Sequence, residues 1–193
     1  IGGTASDGLD IILGADGIGY LWNRENQAVV VGTNNTEKMR IDSTGAVTKP
    51  LQPAFLARLS NFQSNVSNTD YSTVIFDTEI FDQNADFSTS TYKFTAPVTG
   101  RYQFNVSLRL QDLDSAASYS QVRLTTSNRV YEVFLLDTTE FNGDLNYHTA
   151  SSSHLVDMDA NDVAYVQIRT SGGTAQTDIS YSGDSNFSGF LAC

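Results

Sequence analysis

The chain has 193 residues, of which 40% are apolar and 11% aromatic, enough for one domain with a proper core plus a smaller appendage. Its formal net charge of -11 at pH 7 argues against a nucleic-acid partner, because an acidic surface repels the phosphate backbone. No run of about 18 apolar residues is present, which argues against membrane insertion, and the single cysteine, Cys193, cannot form an intrachain disulfide.

Residues 1–50 contain brief apolar pieces at 9–13, 20–22, 28–31 and 39–41, separated by polar or glycine-rich turns. One copy of such a segment cannot bury side chains such as Trp22, Val29 and Met39, whereas three copies wound around an axis can. We therefore predict a trimeric, β-rich shaft or collar over 1–50, with Trp22 in the contact between subunits. A disordered linker is the alternative, although linkers seldom contain this many β-branched and aromatic residues.

Two prolines, Pro50 and Pro53, enclose the next segment. Each removes a backbone donor and restricts the residue before it, so strand pairing should stop there. We predict a stiff hinge at 51–53, followed by a separate domain over 54–193.

The domain over 54–193 reads as a series of strands. Apolar residues alternate with polar ones from Tyr102 to Gln111, which predicts a strand with one face in the core and one face in water. No window shows a sustained helical period, so we expect an all-β domain. Further strands are predicted at 54–59, 72–76, 92–95, 120–125, 130–136, 151–156, 163–170 and 186–192.

The links between these strands alternate between tight and wide from Pro97 onward. Tight turns are predicted at 97–100, 127–128 and 158–161, and wide connections at 111–119, 137–150 and 171–185. In an antiparallel up-and-down path every second connection falls at the same end of the sheet. The wide loops should therefore gather at one pole, which is where binding usually occurs.

These wide loops contain the candidate receptor-binding residues. They combine acidic and aromatic side chains, a pairing that suits sugar recognition by ring stacking and hydrogen bonding. The alternative is that the carboxylates belong to solvated turns and the aromatics anchor their own loops. The candidates are Asp112, Asp114, Tyr119, Phe141, Asp144, Tyr147, His148, Tyr181 and Asp184.

Several strands have apolar residues on both faces, which a two-layer sandwich does not require. We predict that Phe134, Tyr165 and Phe190 are covered by another subunit. Scattered surface aromatics are the alternative, and they are common for single residues.

Four segments of the domain resemble the globular head of complement C1q. They are 53–58, 74–77, the Phe-Thr-x-Pro and Gly-x-Tyr-x-Phe run within 92–104, and 186–191, and they occur in family order. The resemblance implies a ten-stranded jelly-roll sandwich of the C1q/tumour-necrosis-factor type, assembled as a compact homotrimer. It adds Phe55, Phe187 and Gly189 to the predicted subunit interface, with Gly189 close to the three-fold axis.

The chain departs from the family pattern at two informative positions. Asn161 stands where the family usually has a turn glycine, and asparagine tolerates the same left-handed backbone. His148 stands where some members hold calcium with an aspartate, so no metal ligand is assigned, although the acidic loops leave calcium as a possible cofactor.

The first region resembles shaft segments of bacteriophage tail fibres, on residues 20–26 and on the Asn-Thr-Glu-x-Met-Arg-Ile-Asp-x-x-Gly stretch at 35–45. A C1q-like tip on such a shaft predicts the receptor-binding head of a trimeric virion fibre. Its expected partners are further copies of itself, a host cell-surface glycan or protein, and other virion fibre proteins. The alternatives are a trimerisation or capsid-decoration head without direct receptor binding, and a secreted C1q-like recognition module.

Catalysis finds little support in the sequence. His148 and His154 lack the partners of a catalytic triad, and no metal-ligand spacing of histidines or cysteines is present. We therefore predict that the protein is not an enzyme.

Overall fold

The computed structural model describes residues 7–182 and 185–193, and these contain β-strands and no helix. The described chain separates into two compact units, one up to Leu51 and the other spanning Gln52–Cys193. We call the second unit the head.

The first unit consists of two small antiparallel sheets. β1 (Leu9–Leu13) pairs with β2 (Gly19–Asn23), and β3 (Val29–Thr33), β4 (Thr36–Ile41) and β5 (Val47–Thr48) form the second sheet. None of the described residues of this unit is buried within the single chain. Ile11 is 86% exposed and Trp22 51% exposed, so the described part of this unit has strands but no core of its own.

The head is a sandwich of two six-stranded antiparallel sheets. The first, which we call the β12 sheet, contains β9 (Phe87–Ser88), β10 (Lys93–Thr95), β12 (Ala117–Thr126), β13 (Val130–Asp137), β15 (Val163–Gly172) and β7 (Ser72–Thr73). The second, the β11 sheet, contains β14 (Leu145–Met158), β11 (Gly100–Leu113), β17 (Asn186–Leu191), β6 (Ala54–Arg58), β8 (Thr78–Asp82) and β16 (Asp178–Ile179).

This architecture confirms the all-β sandwich and corrects its details. Twelve strands form the head instead of ten, because pairings as short as the two residues of β9 and β16 count as strands. The strand β8 (Thr78–Asp82) was not predicted. The wide connections are also shorter than predicted: β11 and β14 pair as far as Leu113 and Leu145, and only 114–116 link β11 to β12.

The core lies between the two sheets and is dominated by aromatic rings. Phe55 is central: its ring centroid lies 4.8 Å from that of Phe87, 5.1 Å from that of Phe94 and 5.0 Å from that of Phe187. Such ring pairs add to the free energy of burying the rings. Tyr102 is also fully buried, and its hydroxyl donates to the carbonyl oxygen of Val98 at 2.7 Å.

Three residues predicted at the subunit interface lie in this core instead. Phe55, Phe187 and Gly189 are buried within the single chain and have no surface to offer a partner. A Cβ atom at Gly189 would lie 2.4 Å from Cδ1 of Phe104 and 3.0 Å from Cε1 of Phe55. The glycine therefore makes room for rings of its own chain, not for a neighbouring subunit.

The head has two distinct poles. At the base pole, the N–H of Asn161 donates to the carbonyl of Ala96 at 2.7 Å, and the N–H of Arg101 donates to the carbonyl of Cys193 at 2.7 Å. Asn161 has φ 75°, which confirms that asparagine supplies the left-handed turn residue. The 14 residues of β11 run from this pole to the opposite, apical pole, roughly 45 Å away.

Candidate functional site

The apical pole is formed by three loops, 114–116, 138–144 and 173–177, which are joined by hydrogen bonds between side chains and backbone. Asp144 links all three. Its Oδ1 accepts the N–H of Ser115 at 2.8 Å and the Ser115 hydroxyl at 2.7 Å, and its Oδ2 accepts Nε2 of Gln176 at 2.7 Å. The hydrogen bond from the Ser115 backbone, followed by those from the Gln176 and Ser115 side chains, lowers the pKa of Asp144.

Asp114 is a second carboxylate at this pole, and it is buried with only 3% of its surface exposed. Its Oδ1 accepts the N–H of Ala116 at 2.8 Å, and its Oδ2 accepts both the N–H and the hydroxyl of Thr174. Gly173 allows this approach: it has φ 67°, and a Cβ there would lie 2.2 Å from Oδ2 of Asp114. Asp114 therefore stabilises the loop structure and is not available to a ligand.

Other predicted binding residues are dispersed around the apical loops. Asp112 is exposed with φ 51°, and Phe141 is half-buried in the loop 138–144. Tyr181 is exposed and meets Phe62 edge-on, with ring centroids 4.9 Å apart. Asp184 lies outside the described residues.

Tyr147 and His148 occupy opposite faces of β14 because neighbouring residues of a strand alternate. Tyr147 is 59% exposed, and the guanidinium of Arg109 lies 4.6 Å from its ring centroid. His148 is half-buried and stacks on Phe134, with ring centroids 5.0 Å apart. The histidine thus contacts the neighbouring edge strand β13, which explains its position without a metal.

Tyr119 lines a groove of about 480 Å³ on the outer face of the β12 sheet, which we call the Tyr119 groove. The other lining residues are Ser118, Gln121, Leu135 and Asp137. These residues lie together because of the register between β12 and β13, in which Tyr119 pairs with Asp137 and Gln121 pairs with Leu135.

Three residues beside this groove were not among the sequence predictions: Tyr71, Arg123 and Arg169. The Arg123 guanidinium lies 3.3 Å from the Tyr71 ring centroid, and that of Arg169 lies 5.9 Å from the Tyr119 ring centroid. Tyr71 precedes the two-residue strand β7 and only the register of that strand on β15 places it here. The alternation of polar and apolar residues along β12 and β15 indicates which face of the sheet is exposed. It does not indicate which side chains of that face contact one another.

The β11 sheet has exposed apolar side chains on its outer face. Leu155, 60% exposed, and Phe190, 46% exposed, both pair with Gln103 and so lie on the same face. Of the other residues predicted at the subunit interface, Phe134 and Tyr165 are half-buried and Trp22 is exposed, so each retains surface for a partner chain.

Within residues 7–182 and 185–193, no group of three or more His, Cys, Asp or Glu side chains is arranged to hold a metal ion. The same residues include no helix of a length and apolarity that could span a membrane.

Comparisons with known proteins agree with this architecture. The family model of the C1q domain matches residues 54–192. The globular domain of zebrafish complement 1qA protein superposes with a TM-score of 0.52 at 20% identity, covering 74% of this chain and 98% of that one. The tumour necrosis factor Eiger of S. frugiperda gives a TM-score of 0.50 at 14% identity, covering 74% of this chain and 92% of that one.

At these identities the structural likeness establishes the fold and not a ligand. No match was found among curated proteins. The family model spans nearly the whole head and coincides with the two-sheet sandwich and its aromatic core. On these grounds, the chain belongs to the C1q domain family.

Proposed function

We propose that the chain is the distal receptor-binding head of a trimeric virion fibre, of the bacteriophage kind. The head attaches to a glycan or protein of the host cell surface through its apical loops, and it acts by binding rather than by catalysis. The partners are two further copies of the chain, the host receptor and other fibre proteins, and the location is the extracellular surface of the virion.

One observation supports this proposal most strongly: the apical loops lie at the opposite pole from the start of the head. Gln52 and Pro53 contact the base pole, where the Gln52 side chain donates to the Leu191 carbonyl at 2.8 Å and the N–H of Leu191 donates to the Pro53 carbonyl. Three loops held together by Asp114 and Asp144 at the far pole are a rigid surface for contact.

The first unit supports the trimeric state. On one face of the β1–β2 hairpin, Ile11 pairs with Leu21 and both are exposed, together with Leu9 and Leu13. A two-stranded hairpin without a buried face is marginally stable in water at best. Two further copies of the same segment would supply the missing apolar cover, and the outer face of the β11 sheet offers Leu155 and Phe190 for the same purpose.

Trimerisation also explains how weak sites can hold a particle. Three copies of the apical surface on one head, and several heads on one particle, make later binding events intramolecular and raise the overall avidity without a new contact.

The test compares apical and basal variants for binding to bacterial cells. Fluorescent head protein carrying Tyr147→Ser and Tyr181→Ser should bind at least about tenfold more weakly than the unchanged chain, because both rings are exposed at or near the apical loops. Val98→Ser and Val130→Ser form the matched control, since these exposed apolar side chains lie at the base pole. Equal binding by the apical variant and the control would refute the proposed role of the loops.

The second candidate function is a purely structural head. The hydrogen bonds that Asp114 and Asp144 accept from the other apical loops favour it, because these carboxylates are then occupied and less available to a ligand. Such a head would hold three shafts together while another protein contacts the host. Removal of residues 52–193 from the fibre distinguishes the two roles: a shaft that stays trimeric without the head argues against the structural role.

Collagen repeats upstream of residue 1 would instead favour a third function, a secreted C1q-like recognition module.

A further inference from the structure

We propose that the Tyr119 groove binds a sugar residue that carries a carboxylate. The inference rests on the proposed function, because it names the ligand class for a surface that runs from the apical end of the same head. It is carried by the shape of the groove, by an aromatic ring and a carboxylate in its lining, and by a guanidinium beside that ring.

The groove is a preformed concave surface on a rigid sheet. Gln121 in its floor is fixed at both ends: its Oε1 accepts the Tyr71 hydroxyl, and its Nε2 donates to Oε2 of Glu132 at 2.8 Å. A volume of about 480 Å³ is sufficient for one or two sugar rings. The half-buried ring of Tyr119 supplies a face on which the apolar side of a sugar ring can stack.

One side of the groove is acidic. Asp137 lines it, and its Oδ1 accepts the N–H of Thr139 at 2.9 Å and the Thr139 hydroxyl at 2.6 Å. These two hydrogen bonds lower the pKa of Asp137, so the carboxylate is ionised at neutral pH. Its Oδ2 accepts no hydrogen bond from the described residues, which leaves it free for a ligand hydroxyl.

A basic side chain, Arg169 of β15, lies beside the lining residues Tyr119 and Gln121, in a chain whose formal net charge is -11. Arg169 pairs in register with Gln121, and its guanidinium lies 5.9 Å from the ring centroid of Tyr119 and 5.7 Å from that of Tyr71. Its Nε is buried and has no hydrogen-bond partner among the described residues. The guanidinium donates no hydrogen bond to another described residue, so its outer nitrogens, Nη1 and Nη2, keep their donors for a ligand carboxylate.

Arg123, two residues after Gln121 on β12, adds a second positive charge beside the groove. Its Nε and Nη2 both donate to Oε1 of Gln167, at 3.1 Å and 2.9 Å, so its orientation is fixed. Neither Arg123 nor Arg169 forms an ion pair within the described part of the chain.

These features together select the ligand class. A neutral sugar would use the Tyr119 ring and Asp137 but would leave Arg169 unpaired. A simple carboxylate would use Arg169 but not the ring. A sugar acid uses all three, with its carboxylate on the guanidinium in a charge-assisted hydrogen bond, its ring on Tyr119 and a hydroxyl on Asp137.

The experiment uses two sugars that differ only at C6, the methyl glycosides of glucuronate and of glucose, called glucuronate and the glucoside below. They are titrated into the complete 193-residue chain and followed by NMR. We expect glucuronate to bind about tenfold more tightly than the glucoside, because one hydrogen bond to a charged group accounts for at least that factor. Arg169→Gln should remove this preference while leaving the glucoside affinity unchanged. Tyr119→Ala should weaken both sugars. Arg58→Gln, an exposed arginine on the other sheet, is the matched control and should change neither.

A third ligand keeps the test decisive. The methyl ester of glucuronic acid is neutral and should bind the unchanged chain only as well as the glucoside, so the expected preference is tested even where Arg169→Gln fails to fold. Equal affinities for the acid and its ester, or a preference that survives in Arg169→Gln, would overturn the inference. If the sugar-acid preference is absent but cell binding still depends on Tyr147 and Tyr181, only the inference about the Tyr119 groove is refuted. The proposed receptor-binding function then stands.

Discussion

The buried carboxylate of Asp114 gives the sharpest prediction about the apical loops. Asp114→Asn keeps the size of the side chain but replaces one acceptor oxygen by an NH₂ group. In the structure Oδ1 and Oδ2 both face backbone N–H groups, of Ala116 and of Thr174, so an amide must place its own donor against one of them. The retained bond also loses its charge assistance.

The magnitude follows from these contacts. One lost hydrogen bond to a charged group and one buried backbone N–H without an acceptor should lower the free energy of unfolding of the head by about 2–4 kcal/mol. For a domain of this size that corresponds to a fall in Tm of about 5–15 °C. Asp112→Asn is the matched control two residues earlier, because Asp112 is exposed and its side chain accepts no hydrogen bond from any other described residue.

Urea unfolding followed by circular dichroism measures both variants. The control should stay within about 0.5 kcal/mol of the unchanged chain. An Asp114→Asn variant as stable as the control would show that the three loops are not held together through this carboxylate.

The remaining predictions concern the core, one turn and the acid response. Gly189→Ala should lower the free energy of unfolding by about 1–3 kcal/mol in urea, since its Cβ would lie 2.4 Å from Phe104, and an unchanged stability would contradict the packing. Ala85 has φ 56°, so Ala85→Gly should stabilise the head by about 1 kcal/mol, and a lower Tm would count against this. Because the pKa of Asp144 is lowered on folding, its stabilising bonds are complete above the ordinary value of 3.8 and are lost as the pH falls through the lower value. The amide resonance of Ser115 should therefore titrate with a midpoint below 3.8 in NMR, and this step should vanish in Asp144→Asn; a midpoint above 3.8 would refute the assignment.

The period-2 pattern of the sequence predicted much of the fold because it reports which residues face the core. The strand over 102–111 lies within β11, and every apolar residue of that run is buried. Strand ends were predicted less well. β14 begins at Leu145 rather than near residue 151, because its register on β11 continues through a polar stretch with no alternation to reveal it.

Individual side-chain environments could not be read from the pattern. Asp114 lies in a polar loop, and its burial depends on the positive φ of Gly173 in another loop. The Tyr119 groove depends on the pairing of β12 with both β13 and β15, which places Asp137 and Arg169 on opposite sides of one surface. From the sequence, Gly189 is correctly attributed to a lack of space for a side chain. The space is taken by Phe104 and Phe55 of the same chain, however, and not by a neighbouring subunit.

The trimer is the claim on which the proposed function depends, and the mass of the chain in solution tests it most directly. Sedimentation equilibrium at micromolar concentration should give three times the chain mass of 21.0 kDa, about 63 kDa. A single species of 21.0 kDa would contradict the account, because the exposed apolar side chains of the first unit, Ile11 and Trp22 among them, would then have no partner to cover them.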